Sequence, residues 1–100
     1  MNMLKCNKKT NLNEVIEISK AKGKPIACTS EQAMEISKLE KLDILCYHEK
    51  EKEIIQSINP NLNASVFDES FEKTPHIRIK VNELLKHLFG ENTFEIEIIR

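Results

Sequence analysis

Cys28 is the side chain whose type and setting come nearest to chemistry in this sequence. Pro25-Ile26-Ala27-Cys28 reads as a short apolar strand and Thr29 as the cap of a following helix, so the thiol falls at a strand-to-helix junction. Helix N-termini lower a thiol's pKa and stabilise anions. Open α/β sheets collect ligands beyond the carboxyl ends of their strands. On that reading Cys28 is a nucleophilic or redox thiol, with Thr29, Ser30, Lys8 and Lys9 contacting an anion. The competing reading is a small packed hydrophobe, because free cysteine is among the most buried residue types. No second cysteine lies two residues away, no glycine loop surrounds it, and the flanking Ala27 suits a core.

Other constellations are thinner. Cys46-x-His48 puts two soft ligands on one face of a strand, but a structural zinc site wants four convergent ligands in close-spaced pairs. The remaining candidates, Cys28, His76 and His87, come from distant segments, so no metal is expected. None of Ser30, Ser57, Ser65 or Ser70 lies in a G-x-S-x-G elbow, and Gly23 and Gly90 stand alone rather than in a phosphate-cradling run. His76 and His87 read as surface residues. The pairs Glu49/Glu53 and Glu91/Glu95 read as surface carboxylates serving solubility. No catalytic group and no cofactor is called for beyond the Cys28 candidate.

A binding surface is easier to write down. Phe67, Asp68, Glu69, Phe71 and Glu72 form an acidic segment holding two of the five aromatic side chains. Aromatic anchors rimmed by charge suit a protein partner, although both rings could instead fold back onto one end of the core. Charge is also segregated along the chain. Six lysines (Lys5, Lys8, Lys9, Lys20, Lys22, Lys24) against Glu14 and Glu17 give the first thirty residues +4, while nine basic against fourteen acidic side chains give the remainder −5. A basic third attracts phosphates, yet it contains no aromatic to stack a base and no arginine to fork a phosphate. A solvated lysine face is the simpler account.

The elements that position these residues follow from caps and periodicity. Asn11 caps a helix in which Leu12, Val15, Ile16 and Ser19 make one stripe, and Gly23 closes it. Thr29 with Gln32 is a capping box opening a helix to about Lys41. Asp43 to Tyr47 is apolar on both faces, as a central strand should be. Strand, helix and strand from Pro25 to Tyr47 make a βαβ unit, predicting two neighbouring parallel strands. His48 to Ile58 reads as a charged helix stopped by Asn59-Pro60, and Ala64 to Phe67 as a brief strand. From Thr74 to Phe89 one long helix competes with a strand to Val81 followed by a helix capped by Asn82. The alternation of Ile77, Ile79 and Val81 favours the strand. Thr93 to Ile99 alternates again and predicts a strand with one wet face, free to pair with another chain if it lies at an edge.

The predicted fold is therefore α/β (α+β): one domain over 1–100, a mixed sheet built on a central βαβ unit, helices packed on it, and an antiparallel C-terminal edge. Forty per cent apolar residues suffice for a core at this length. Three cysteines without C-x-x-C spacing fit reduced thiols in a cytoplasm rather than a disulfide scaffold. The longest apolar run, Ile44 to Tyr47, is far short of the roughly 20 residues that span a bilayer, and the first residues lack a signal-peptide pattern. The Lys-, Ile-, Asn- and Glu-heavy composition suits an AT-rich genome, such as that of a phage or other mobile element. The functional expectation is a small non-catalytic adaptor or inhibitor that masks a protein partner. Its alternatives are an enzyme centred on Cys28 and a nucleic-acid accessory protein; no membrane association is expected.

Overall fold

A computed structural model describes residues 2–100. In chain order the elements are β1 (Leu4–Lys5), α1 (Leu12–Lys22), β2 (Ile26–Thr29), α2 (Ser30–Glu40), β3 (Ile44–Cys46), α3 (Glu49–Ile58), β4 (Ala64–Val66), a 3₁₀ turn at Glu69–Phe71, β5 (His76–Lys80), α4 (Glu83–Phe89) and β6 (Thr93–Ile99).

Local side-chain chemistry sets the helix boundaries. Asn11 Oδ1 accepts the N–H groups of Asn13 and Glu14, and Gly23 ends α1 in the left-handed region at φ 62°. The capping box of α2 is closed in both directions: Thr29 Oγ1 accepts the Gln32 N–H at 3.1 Å, and Gln32 Oε1 accepts the Thr29 N–H at 3.0 Å. Asn82 Oδ1 accepts the N–H groups of Leu84 and Leu85 at the start of α4, so the 74–89 stretch is a strand followed by a helix. Only β1 escapes the sequence pattern, being two residues long.

The strands form one mixed sheet in the order β1-β2-β6-β5-β3-β4. This corrects the βαβ expectation in one respect. β2 is antiparallel to β6, β6 is antiparallel to β5, and β5 is parallel to β3, so β2 and β3 do run in the same sense. They are not neighbours, however, because β6 and β5 lie between them. The antiparallel C-terminal pair forms as expected, but at the centre of the sheet rather than its edge. Both sides of β6 are hydrogen-bonded, so it offers no edge to another chain.

Register divides the residues between two faces. Ile26, Cys28, Ile44, Cys46, Ile77, Ile79, Phe94 and Ile96 share the face covered by α1, α2 and α3, which contribute Val15, Ile16, Ala33, Ile36 and Ile55 to the same core. The opposite face alternates with them. It carries Lys5, Ala27, Leu45, Arg78, Lys80, Glu95 and Glu97, and its cover is lighter. α4 packs on β6 with Leu85 fully buried. β4 and β5 flank β3 and run parallel, so residues 67–75 must cross over β3, and the stack of Phe67 on Tyr47 sets that crossing on this second face. Leu45 is completely buried there.

That cover overturns several surface assignments. The expected wet face of β6 is wet only toward its end: Thr93 and Glu95 are buried, Glu95 hydrogen-bonded to Lys80 (3.2 Å) and to the Asn82 Nδ2 (2.9 Å), while Glu97 stays partly exposed. His76 is buried rather than exposed, its Nδ1 2.8 Å from the Thr74 carbonyl and its Nε2 3.4 Å from the Tyr47 hydroxyl. His87 is exposed as expected, and so is His48.

Candidate functional site

A cavity of about 660 Å³ opens beyond the carboxyl ends of β1 and β2. Four parts of the chain build it. The segment Lys5-Cys6-Asn7-Lys8 leaves β1; Cys28 and Thr29 end β2; Glu31 and Gln32 lie in the first turn of α2; Phe89 and Thr93 arrive from α4 and β6. A tight turn shapes the first part. Asn7 Oδ1 accepts the Lys9 N–H and the Thr10 hydroxyl, while the Thr10 Oγ1 accepts the Asn7 N–H, an arrangement that lets asparagine mimic a backbone turn. Gln32 Nε2 then donates to the Asn7 carbonyl at 2.8 Å, tying the turn to α2.

Cations and apolar surface meet on this wall. Lys5 Nζ lies 4.0 Å from the centroid of the Phe89 ring, within reach of a cation–π attraction. Among the described residues, none of the ion pairs involves Lys5, Lys8 or Lys9. On the same helix as Phe89, α4, Leu84 and Leu88, one turn apart, are 52% and 51% exposed. Sequence reading passed over this face because Leu84, Leu85 and Leu88 look like one buried stripe. Only Leu85 turns inward.

The anion set proposed around Cys28 comes apart in place. Thr29 and Lys8 line the cavity, but Lys9 lines a neighbouring depression with Thr10 and Glu14. Ser30 is fully buried; its hydroxyl donates to Glu31 and accepts from the Asn59 Nδ2. Two of the N–H groups that open α2 are spent internally, Ser30 N–H on the Asn92 carbonyl and Gln32 N–H on the Thr29 hydroxyl. Glu31 adds a negative charge to the same wall. Cys28 itself is 2% exposed, and burial, reinforced by nearby Cys6, pushes its thiol well above the ordinary range. A protonated, inaccessible thiol is a poor nucleophile toward a substrate that arrives from solution. Burial raises Cys6 too, and burial together with the Glu51 carboxylate raises Cys46. Among the described residues no three His, Cys, Asp or Glu side chains converge as a metal site.

The acidic segment is folded against the sheet. Phe67 is half-buried and stacks on Tyr47 with centroids 4.6 Å apart and planes 17° from parallel. The Arg78 guanidinium lies 4.0 Å from the Tyr47 centroid, so Tyr47 is engaged by both neighbours. Phe71 is half-buried in the 3₁₀ turn, whose cap is Asp68 Oδ1 accepting the Ser70 N–H. Asp68, Glu69 and Glu72 stay exposed.

The chain matches no family model, no curated protein and no solved structure.

Proposed function

We propose that the protein is a non-catalytic binding module, an adaptor or inhibitor that masks a protein partner by seating an acidic, apolar-anchored segment of it in the cavity beside α4. One observation carries this reading: Lys5 and Lys8, free of carboxylate partners among the described residues, line a cavity together with Phe89, at the end of the helix that leaves Leu84 and Leu88 exposed. Large apolar side chains left in contact with water beside a pocket mark interaction sites. Unpaired charge at the rim selects and steers an oppositely charged partner. Docking here rather than at Phe67 and Phe71 also follows from packing, because Phe67 already spends a face on Tyr47. The burial of Cys28 weighs against the enzymatic alternative.

The test places a photo-crosslinking residue at Leu88 and, separately, at Ser70, and irradiates each protein in an extract of the cells that make it. The expected result is one species captured and identified from position 88. It then binds the purified protein and loses binding when Lys5→Glu and Lys8→Glu are combined. Capture from position 70 alone would return the partner to the acidic segment and overturn this site. Capture from neither would overturn the binding reading itself.

A further inference from the structure

Cys6 and Cys28 face each other across the first two strands. The parallel ladder pairs Leu4 with Ile26 and Lys5 with Ala27. The Cys6 N–H donates to the Ala27 carbonyl at 2.9 Å, which carries the register one step further and sets Cys6 opposite Cys28. Both side chains lie toward the helix-covered core and both line the cavity. Adjacent strands are roughly 4.8 Å apart, inside the Cα separation of about 4.4–6.8 Å that a disulfide spans. Cys46 is remote from this pair, on β3, with β6 and β5 between it and β2. Cys6 is half-buried and Cys28 buried, so a reagent in the cavity meets Cys6 first.

We propose that Cys6 and Cys28 are a redox-active dithiol that a low-molecular-weight disulfide, of the glutathione class, closes into a cross-strand disulfide. In the first exchange Cys6 gives up its proton and its sulfur attacks one sulfur of the small disulfide. That S–S bond breaks, one small thiolate leaves and takes the proton, and Cys6 keeps the other half as a mixed disulfide. Cys28 then gives up its proton and attacks the Cys6 sulfur. The second small thiolate leaves and takes that proton. Two protein thiols are oxidised and one small disulfide is reduced to two small thiols.

Accessible disulfides are the labile, regulatory ones, and this bond would lie on the wall of an open cavity. What the bond regulates follows from its position. β1 is two residues long, with Leu4 N–H on the Pro25 carbonyl and Cys6 N–H on Ala27 as its flanking backbone bonds. Lys5 and Lys8 lie on either side of Cys6. Oxidation therefore fixes the basic wall of the cavity, and reduction releases it. This inference stands whether or not a partner docks there.

The experiment equilibrates the full chain with oxidised glutathione, alkylates remaining thiols, digests without reduction and maps the peptides by mass. The expected product is lighter by two hydrogens, links Cys6 to Cys28, carries alkylated Cys46, and reverts with excess reduced glutathione. Amide exchange over residues 3–8 slows by about tenfold on oxidation, since local opening of that segment is then restrained. Cys6→Ser leaves the buried Cys28 in place and is expected to take up no glutathione and to show no slowing. A stable mixed disulfide on Cys6, dimers linked through Cys6, or unchanged free thiols at equilibrium would overturn the proposal.

Discussion

Lys5 Nζ stands 4.0 Å from the centroid of the Phe89 ring, so the first strand of the chain is joined to the end of α4 across the mouth of the cavity. The contact is exposed, where a cation–π pair contributes about 0.5–1 kcal/mol. A double-mutant cycle of Lys5→Ala and Phe89→Ala, read by urea denaturation, is expected to give a coupling in that range. Each single variant stays folded, because neither side chain belongs to the helix-covered core. Zero coupling would mean that the ammonium and the ring meet without attraction, and Lys5 would be better described as a solvated charge.

Glu95 holds a more consequential position on the same face. Its carboxylate takes Lys80 on one oxygen and the Asn82 Nδ2 on the other, and Lys80 reaches Glu97 as well. Removing a buried acceptor leaves its donors short of partners, which costs about 1–3 kcal/mol. Glu95→Ala is expected to destabilise by that amount and Glu97→Ala by much less, because Glu97 is 37% exposed at its side chain. Desolvation pulls the Lys80 pKa down, but the hydrogen bonds with Glu95 and Glu97 outweigh it and leave it raised. A raised lysine contributes fully below its unfolded value of about 10.4 and loses its contribution as pH climbs through the folded value. The gap between thermal melts of wild type and Glu95→Ala should therefore narrow as pH climbs above about 10.4, the Asn82 share remaining, and an unchanged gap there would contradict the pairing.

The difference between what sequence reading reached and what it missed lies in the range of the interactions. Asn11 with Gly23, Thr29 with Gln32, and Asn82 all act within four residues, so their caps are legible from spacing, and the alternation of Ile77 with Ile79 correctly set one face of β5. Strand neighbours are a long-range choice. Two strands joined by one helix read as neighbours, but β6 slots beside β2 through Ile26–Ile96 and Cys28–Phe94, and β5 follows it. One signal was present: Lys80 and Glu95 are oppositely charged on alternating strands and prove to be direct cross-strand partners, a pairing that stabilises antiparallel neighbours. The cavity is legible only in part. Of the residues that spacing groups around Cys28 as anion contacts, Thr29 and Lys8 line it and Ser30 and Lys9 do not, whereas Phe89, Gln32 and Thr93 come together only once the sheet order is known.

Gly23 and Lys41 end successive helices in the same left-handed conformation, at φ 62° and 57°. Glycine takes that region without strain, whereas a side chain costs roughly 1–2 kcal/mol there. Part of that gain is returned as lost order in the unfolded chain. Lys41→Gly is expected to stabilise by about 0.5–1 kcal/mol. Gly23→Ala should destabilise by about 1 kcal/mol although nothing lies within 4 Å of the added β-carbon, so the loss would come from backbone conformation alone. Chemical denaturation of the two variants checks both signs. A destabilised Lys41→Gly would show that the lysine side chain does more at this cap than tolerate its geometry.

Glu40 joins α2 to both α1 and the end of β6, accepting from Arg100 Nη2 at 2.8 Å and pairing with Lys20 Nζ at 3.1 Å. Desolvation pushes its pKa up, but the hydrogen bonds from Arg100 and Lys20 more than offset this and hold the carboxyl below its ordinary value. A carboxylate with a depressed folded pKa contributes above its unfolded value of about 4.3, and the contribution vanishes as pH falls through the folded value. Glu40→Gln keeps the shape and removes the charge. Wild type should therefore melt higher than Glu40→Gln at neutral pH, and the gap should close as the solution is acidified below about pH 4.3. Arg100 and Lys20 are partly exposed, 52% and 31% at their side chains, so added salt should narrow the neutral-pH gap as well. A gap that stays constant from neutral to acid pH would place the stabilising role of Glu40 in its packing rather than its charge.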